Sequence, residues 1–183
     1  MKHPFAAQVS RVSLPRVDEY LGVDVSARAL ATAAKVPKGS FAVLDAVSSN
    51  LPLARTGRPF DLVLNRHMTY HLPSEDTLAA LRRFGASGAK YLLATTHLVA
   101  DENERTFVLA DGHAVNLFRA PYCLRDPLLL FPDGAPDVYL GLWALEGAPL
   151  ADPRSCRTAV DDLTPLIVDE GGWPPPDGDD DGS

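Results

Sequence analysis

The chain is poor in cysteine: its 183 residues hold only 2, Cys123 and Cys156. That excludes a disulfide framework and a four-cysteine zinc site, and it makes a reducing cytosol the default compartment. Long apolar runs are missing too. The longest, such as residues 127–132, is strand-sized, whereas a membrane helix needs about 20 residues. The opening Met1-Lys2-His3-Pro4-Phe5 lacks the apolar core of a secretory signal. A basic face is also absent. Six of the 24 acids lie in residues 169–183 without a single Lys or Arg, and the rest of the chain carries 18 acids against 17 bases. A near-neutral body gives no electrostatic argument for nucleic-acid binding. No internal repeat is visible.

What is present is an ordinary globular composition, 46% hydrophobic and 22% charged, with enough chain for one domain. Residues 17–23 form a β-branched and aromatic run that predicts a strand ending at Asp24. Ser26 stands where it can cap a helix over residues 27–35, which Pro37 and Gly39 end. Residues 41–44 predict a strand ending at Asp45, and residues 60–64 one ending at Asn65. Ser74, Glu75 and Asp76 open a second helix with acids first. Leu78, Leu81 and Phe84 recur in it at helical spacing, and Gly85 closes it. Residues 90–96 and 138–145 complete the strands. Strands alternating with helices predict a parallel sheet covered on both faces. Ligands of such sheets bind at the carboxyl ends of the strands, which is where Asp24, Asp45 and Asn65 fall.

Each of these polar residues has two readings. Asp24 accepts from ribose hydroxyls or caps the following helix. Asp45 accepts from an adenine amino group or forms a turn. His67 and His71 are spaced as metal ligands would be on a helix, but Pro73 and Ser74 start the helix later, so no metal is expected. His71 is a general base or a histidine bonded to backbone. Cys123, in an apolar setting, reads as a buried, inert thiol. Residues 99–119 read as a cover for a substrate or as a surface loop. Residues 169–183, rich in Pro, Gly and Asp, predict a disordered acidic tail.

The segments Tyr20-Leu21-Gly22-Val23-Asp24-Val25-Ser26, Phe60-Asp61-Leu62-Val63-Leu64-Asn65-Arg66-His67-Met68-Thr69-Tyr70-His71-Leu72 and Ser87-Gly88-Ala89-Lys90-Tyr91-Leu92-Leu93-Ala94-Thr95-Thr96 resemble class I S-adenosylmethionine-dependent methyltransferases. The later Asn116-Leu117, Pro121-Tyr122, Pro127-Leu128-Leu129 and Leu140-Gly141-Leu142-Trp143 follow in the order of one uncharacterised branch. The resemblance covers roughly residues 5–146. It implies an α/β fold: an incomplete doubly wound, mostly parallel Rossmann-like sheet with an antiparallel late strand. The methyltransferase-like domain would span 1–150, followed by a weakly ordered extension (151–168) and the tail (169–183).

The resemblance further implies S-adenosylmethionine as cofactor and methyl transfer to an unidentified acceptor. Asp24 would hold the ribose, and Asp45 with Ala46 the adenine. Asn65 and Arg66 would lie near the methionine part, His71 would face the cleft, and Asn116 would serve the substrate side. Two departures stand out. The branch carries Cys-Arg-Asp where this chain has Asn65-Arg66-His67. Its first strand and Gly-x-Gly loop have no counterpart, since no glycine precedes Gly22. The missing central strand predicts unpaired neighbouring edges and weak cofactor binding, as in a truncated gene product. Two alternatives remain open at this point: a non-catalytic relic acting as an interaction module, and another nucleotide-binding domain, such as a dehydrogenase-like one.

Overall fold

Tyr20, Leu21 and Val23 are stiff or bulky side chains suited to a pleated surface, and they form the first strand, β1 (Tyr20–Asp24). The computed structural model describes residues 17–33, 39–98, 103, 112–146, 149–152, 154, 156, 157, 163 and 166–168. Residues 1–16, most of residues 99–111, and the acidic tail lie outside these. Two units result, Met1–Pro59 and Phe60–Ser183, and each is described by itself.

In the first unit, β1 is followed by α1 (Ala27–Ala33) and β2 (Gly39–Val43). Ser26 acts as the expected cap, its Oγ accepting the Ala29 N–H at 3.2 Å. β1 and β2 pair in parallel from Tyr20↔Gly39 to Asp24↔Val43, and the Tyr20 ring meets Phe41 edge-on at 6.0 Å.

The second unit contains β3 (Leu62–Asn65), a 3₁₀ turn (Thr69–His71), α2 (Ser74–Gly85), β4 (Tyr91–His97), β5 (Leu129–Pro132) and β6 (Val138–Ala144). The strand order is β3-β4-β6-β5. β3 and β4 are parallel, and β6 runs antiparallel to both β4 and β5. Three strands therefore share one direction and β6 opposes them. In α2, Glu75 and Asp76 occupy the first turn and Arg82 and Arg83 the last, as the helix dipole favours. Its buried stripe is Thr77, Ala80, Leu81 and Phe84.

The core gathers Leu92, Leu117, Phe118, Leu124, Leu130, Trp143 and Leu163, each fully buried. The indole Nε1 of Trp143 donates to the Arg125 carbonyl at 2.7 Å. Gly141 makes this packing possible, because a Cβ there would lie 2.2 Å from the Trp143 ring.

Several expectations change. The single sheet is two, β1-β2 and β3-β4-β6-β5, and no ladder joins them among the described residues. Residues 115–118, read as part of a cover or a surface loop, are buried in the core. Apolar Val115, Leu117 and Phe118 gain more from burial there than from solvent exposure. Cys123 is buried but is no free thiol, since it is bonded to Cys156 33 residues on. The described part of 151–168 is tied down by bridges Leu124↔Ala151 and Leu130↔Ile167. No helix among the described residues is long and apolar enough to cross a membrane.

Candidate functional site

Parallel pairing brings the carboxyl ends of β3 and β4 together, with Asn65 opposite Ala94. The chain leaving β3 therefore passes beside Thr95, Thr96 and His97. His67 turns it: its φ is 58°, a left-handed conformation uncommon for a residue with a side chain. Its N–H donates to Thr95 Oγ1 at 3.0 Å, which holds the turn in place.

Asp133 enters from the hairpin between β5 and β6. Its side chain is only 7% exposed. Arg66 Nη2 lies 2.6 Å from its Oδ1, and Arg66 Nε lies 3.1 Å from both oxygens. His67 Nε2 stands 3.3 Å from Oδ2. One carboxylate thus faces a guanidinium and an imidazole supplied by consecutive residues.

Tyr70, in the 3₁₀ turn, is the hub of the cluster. Its ring lies 4.0 Å from that of His71, 5.5 Å from His67 and 6.0 Å from His97. Its carbonyl accepts the His113 N–H at 3.1 Å. Four of the 5 histidines of the chain therefore meet around one tyrosine. Gly112 permits the close approach of the 112–118 segment: its φ is 141°, and a Cβ would sit 2.7 Å from the Tyr70 ring. His97 bonds to Val115 twice over, its N–H donating to the carbonyl at 2.8 Å and its Nδ1 accepting the Val115 N–H at 3.1 Å. The same Nδ1 lies 3.3 Å from the Val115 carbonyl oxygen, so it accepts from the Val115 N–H when bare and donates to that carbonyl when protonated.

Burial lowers the pKa of both His67 and His97. For His67 the nearby Asp133 carboxylate opposes this, while Arg66, His97 and His71 reinforce it. For His97 the Val115 carbonyl, 3.3 Å from Nδ1, opposes it by accepting from the protonated ring.

The residues expected from the sequence fare differently. Asn65 ends β3 as expected and is 3% exposed, yet among the described residues neither Oδ1 nor Nδ2 has a hydrogen-bond partner. A buried amide in that state calls for a polar partner. Arg66 is held by Asp133. His71 is exposed and packs its ring on Tyr70. Asn116 is fully buried, its N–H bonded to Asn103 Oδ1 at 2.7 Å and its own Oδ1 accepting the Phe118 N–H at 3.1 Å. It organises the loop that carries it.

In the first unit, Asp24 uses Oδ1 to accept the Ser26 N–H at 2.7 Å. Asp45 accepts the Val47 N–H on Oδ1 and the Ser48 hydroxyl on Oδ2, and these two bonds lower its pKa. Asp45 therefore forms a turn, one of its two readings, whereas Asp24 holds the residue before the helix and leaves the capping to Ser26. Ala46 beside Asp45 is buried.

Sequence reasoning missed Asp133, His97 and the hub role of Tyr70. A signal existed for two of them. Asp133 follows the apolar run at 127–132 and His97 ends β4, so the strand-end rule that selected Asn65 also applies to them. Among the described residues no group of three or more His, Cys, Asp or Glu is placed to hold a metal ion. No family model matches the chain, and no curated protein matches it.

Proposed function

We propose that the chain transfers a methyl group from S-adenosylmethionine to an unidentified acceptor. The observation that carries this reading is the place of β6, antiparallel between β4 and β5. The resemblance gives that place, beside the sheet edge, to its late Leu-Gly-Leu-Trp strand. A dehydrogenase-like domain has no need of such a strand.

One residue of the second unit suits an adenosyl ligand: Asn65 offers a buried donor and acceptor that no described residue partners. The cofactor supplies an activated methyl group on a sulfonium. The part of the protein in such a transfer is mainly to hold the acceptor in line.

Calorimetric titration with S-adenosylmethionine tests this. The expected result is saturable binding with a Kd of roughly 0.1–1 mM, lost in Asn65→Leu. Absence of saturable binding at millimolar ligand would dismiss the reading.

A further inference from the structure

Arg66, His67 and Asp133 form a unit that adenosyl binding does not use. We propose that His67 is the proton acceptor of this rim, with Asp133 fixing the His67 proton on Nε2 and Arg66 fixing the orientation of Asp133.

The geometry sets the order of dependence. An ionised carboxylate only accepts hydrogen bonds, and a guanidinium only donates them. Arg66 Nη2 takes Asp133 Oδ1 at 2.6 Å, leaving Oδ2 toward His67 Nε2 at 3.3 Å. A proton on Nε2 makes that contact attractive, whereas a lone pair there would face a carboxylate. Neutral imidazole with its proton on Nε2 carries its lone pair on Nδ1.

No hydrogen bond among the described residues engages His67 Nδ1. The side chain is 35% exposed, so a small molecule can reach it. Burial favours the neutral form that a base requires. His97 is not equivalent, because its Nδ1 is engaged by the backbone of Val115 in either tautomer.

The substrate class follows from the chemistry. It is a molecule whose N–H, O–H or S–H must ionise before the atom can act as a nucleophile. The Nδ1 lone pair forms the new N–H bond, and the electron pair of the broken bond stays on the substrate atom. The imidazolium produced lies beside the Asp133 carboxylate and returns its proton to solvent through Nδ1. None of this requires the adenosyl group, so the inference stands apart from methyl transfer.

Asp133→Asn gives a sharp test on the full chain. Arg66 can bond only to the amide oxygen, which turns the amide Nδ2 toward His67. A donor facing Nε2 demands a lone pair there, and the His67 proton moves to Nδ1. Ring-nitrogen NMR of ¹⁵N-histidine protein reads this tautomer directly. Acylation by diethyl pyrocarbonate, followed for each histidine by mass spectrometry, reads the reactivity of Nδ1.

The expected results are an Nε2–H tautomer in the wild type and a reversed tautomer in Asp133→Asn. Acylation of His67 should slow about tenfold or more in that variant and recover in Asp133→Glu. An Nδ1–H tautomer in the wild type overturns the proposal even if Asp133→Asn fails to fold. So do an unchanged tautomer and acylation rate in a folded Asp133→Asn. Loss of S-adenosylmethionine binding with the tautomer intact sinks the methyl-transfer reading alone.

Discussion

A side-chain amide buried with nothing to bond destabilises the fold around it. Asn65 is such a group, 3% exposed with both polar atoms unpartnered. Leucine has nearly its shape and no polar atoms to satisfy. Asn65→Leu is therefore expected to raise stability by about 1–3 kcal/mol in urea denaturation, while abolishing ligand binding. A fall in stability would mean that the amide is already satisfied in the folded protein.

The histidines make a second prediction at the same scale. His67 and His97 both have pKa values lowered from the ordinary 6.5, chiefly by burial. The unfolded chain thus binds protons that the folded chain resists. Stability is full above about pH 6.5 and declines as pH falls from there through the lowered folded values. Urea midpoints at neutral and mildly acid pH should separate accordingly. His67→Gln should reduce the difference, and an unchanged midpoint would refute the assignment.

At the scale of elements, strands and helices follow locally readable rules. Ser26 caps α1 and acids open α2, both as their residue types dictate. Asp24, Asn65 and the run at 138–145 mark strands that exist. What was not legible depended on packing. The stripe of α2 runs through Thr77 and Ala80 rather than Leu78, because the sheet, not hydrophobicity alone, decides which face turns inward. Asp133 lies 67 residues from Arg66, and only the pairing of β6 between β4 and β5 brings the hairpin to the rim. The role of Gly141 also needs the fold, since its missing side chain matters only where the Trp143 indole crosses it. Gly141→Ala is expected to lose about 1–3 kcal/mol through overpacking, measured as a lower thermal midpoint. An unaffected midpoint would show that the indole can move aside.

At the scale of the whole molecule, the sequence suggested one sheet and an inert free thiol at Cys123. The described residues form two sheets, and Cys123 is bridged to Cys156. Local pattern cannot report that β1 and β3 share no ladder, nor that residues 33 apart meet. Thiol titration of the native chain should find no reactive cysteine, and both after reduction under denaturing conditions. Free thiols in the untreated protein would contradict the bridge.

That bridge closes a covalent ring around β5 and β6, which both lie between Cys123 and Cys156. Tension applied at the chain ends can peel away everything outside the ring but cannot lengthen what is inside it. An oxidised molecule stretched between two handles should come up short of its reduced form by about 110 Å of contour, the reach of the 33 residues separating the cysteines. The hairpin bearing Asp133 would then be the part of the chain that mechanical load leaves tethered.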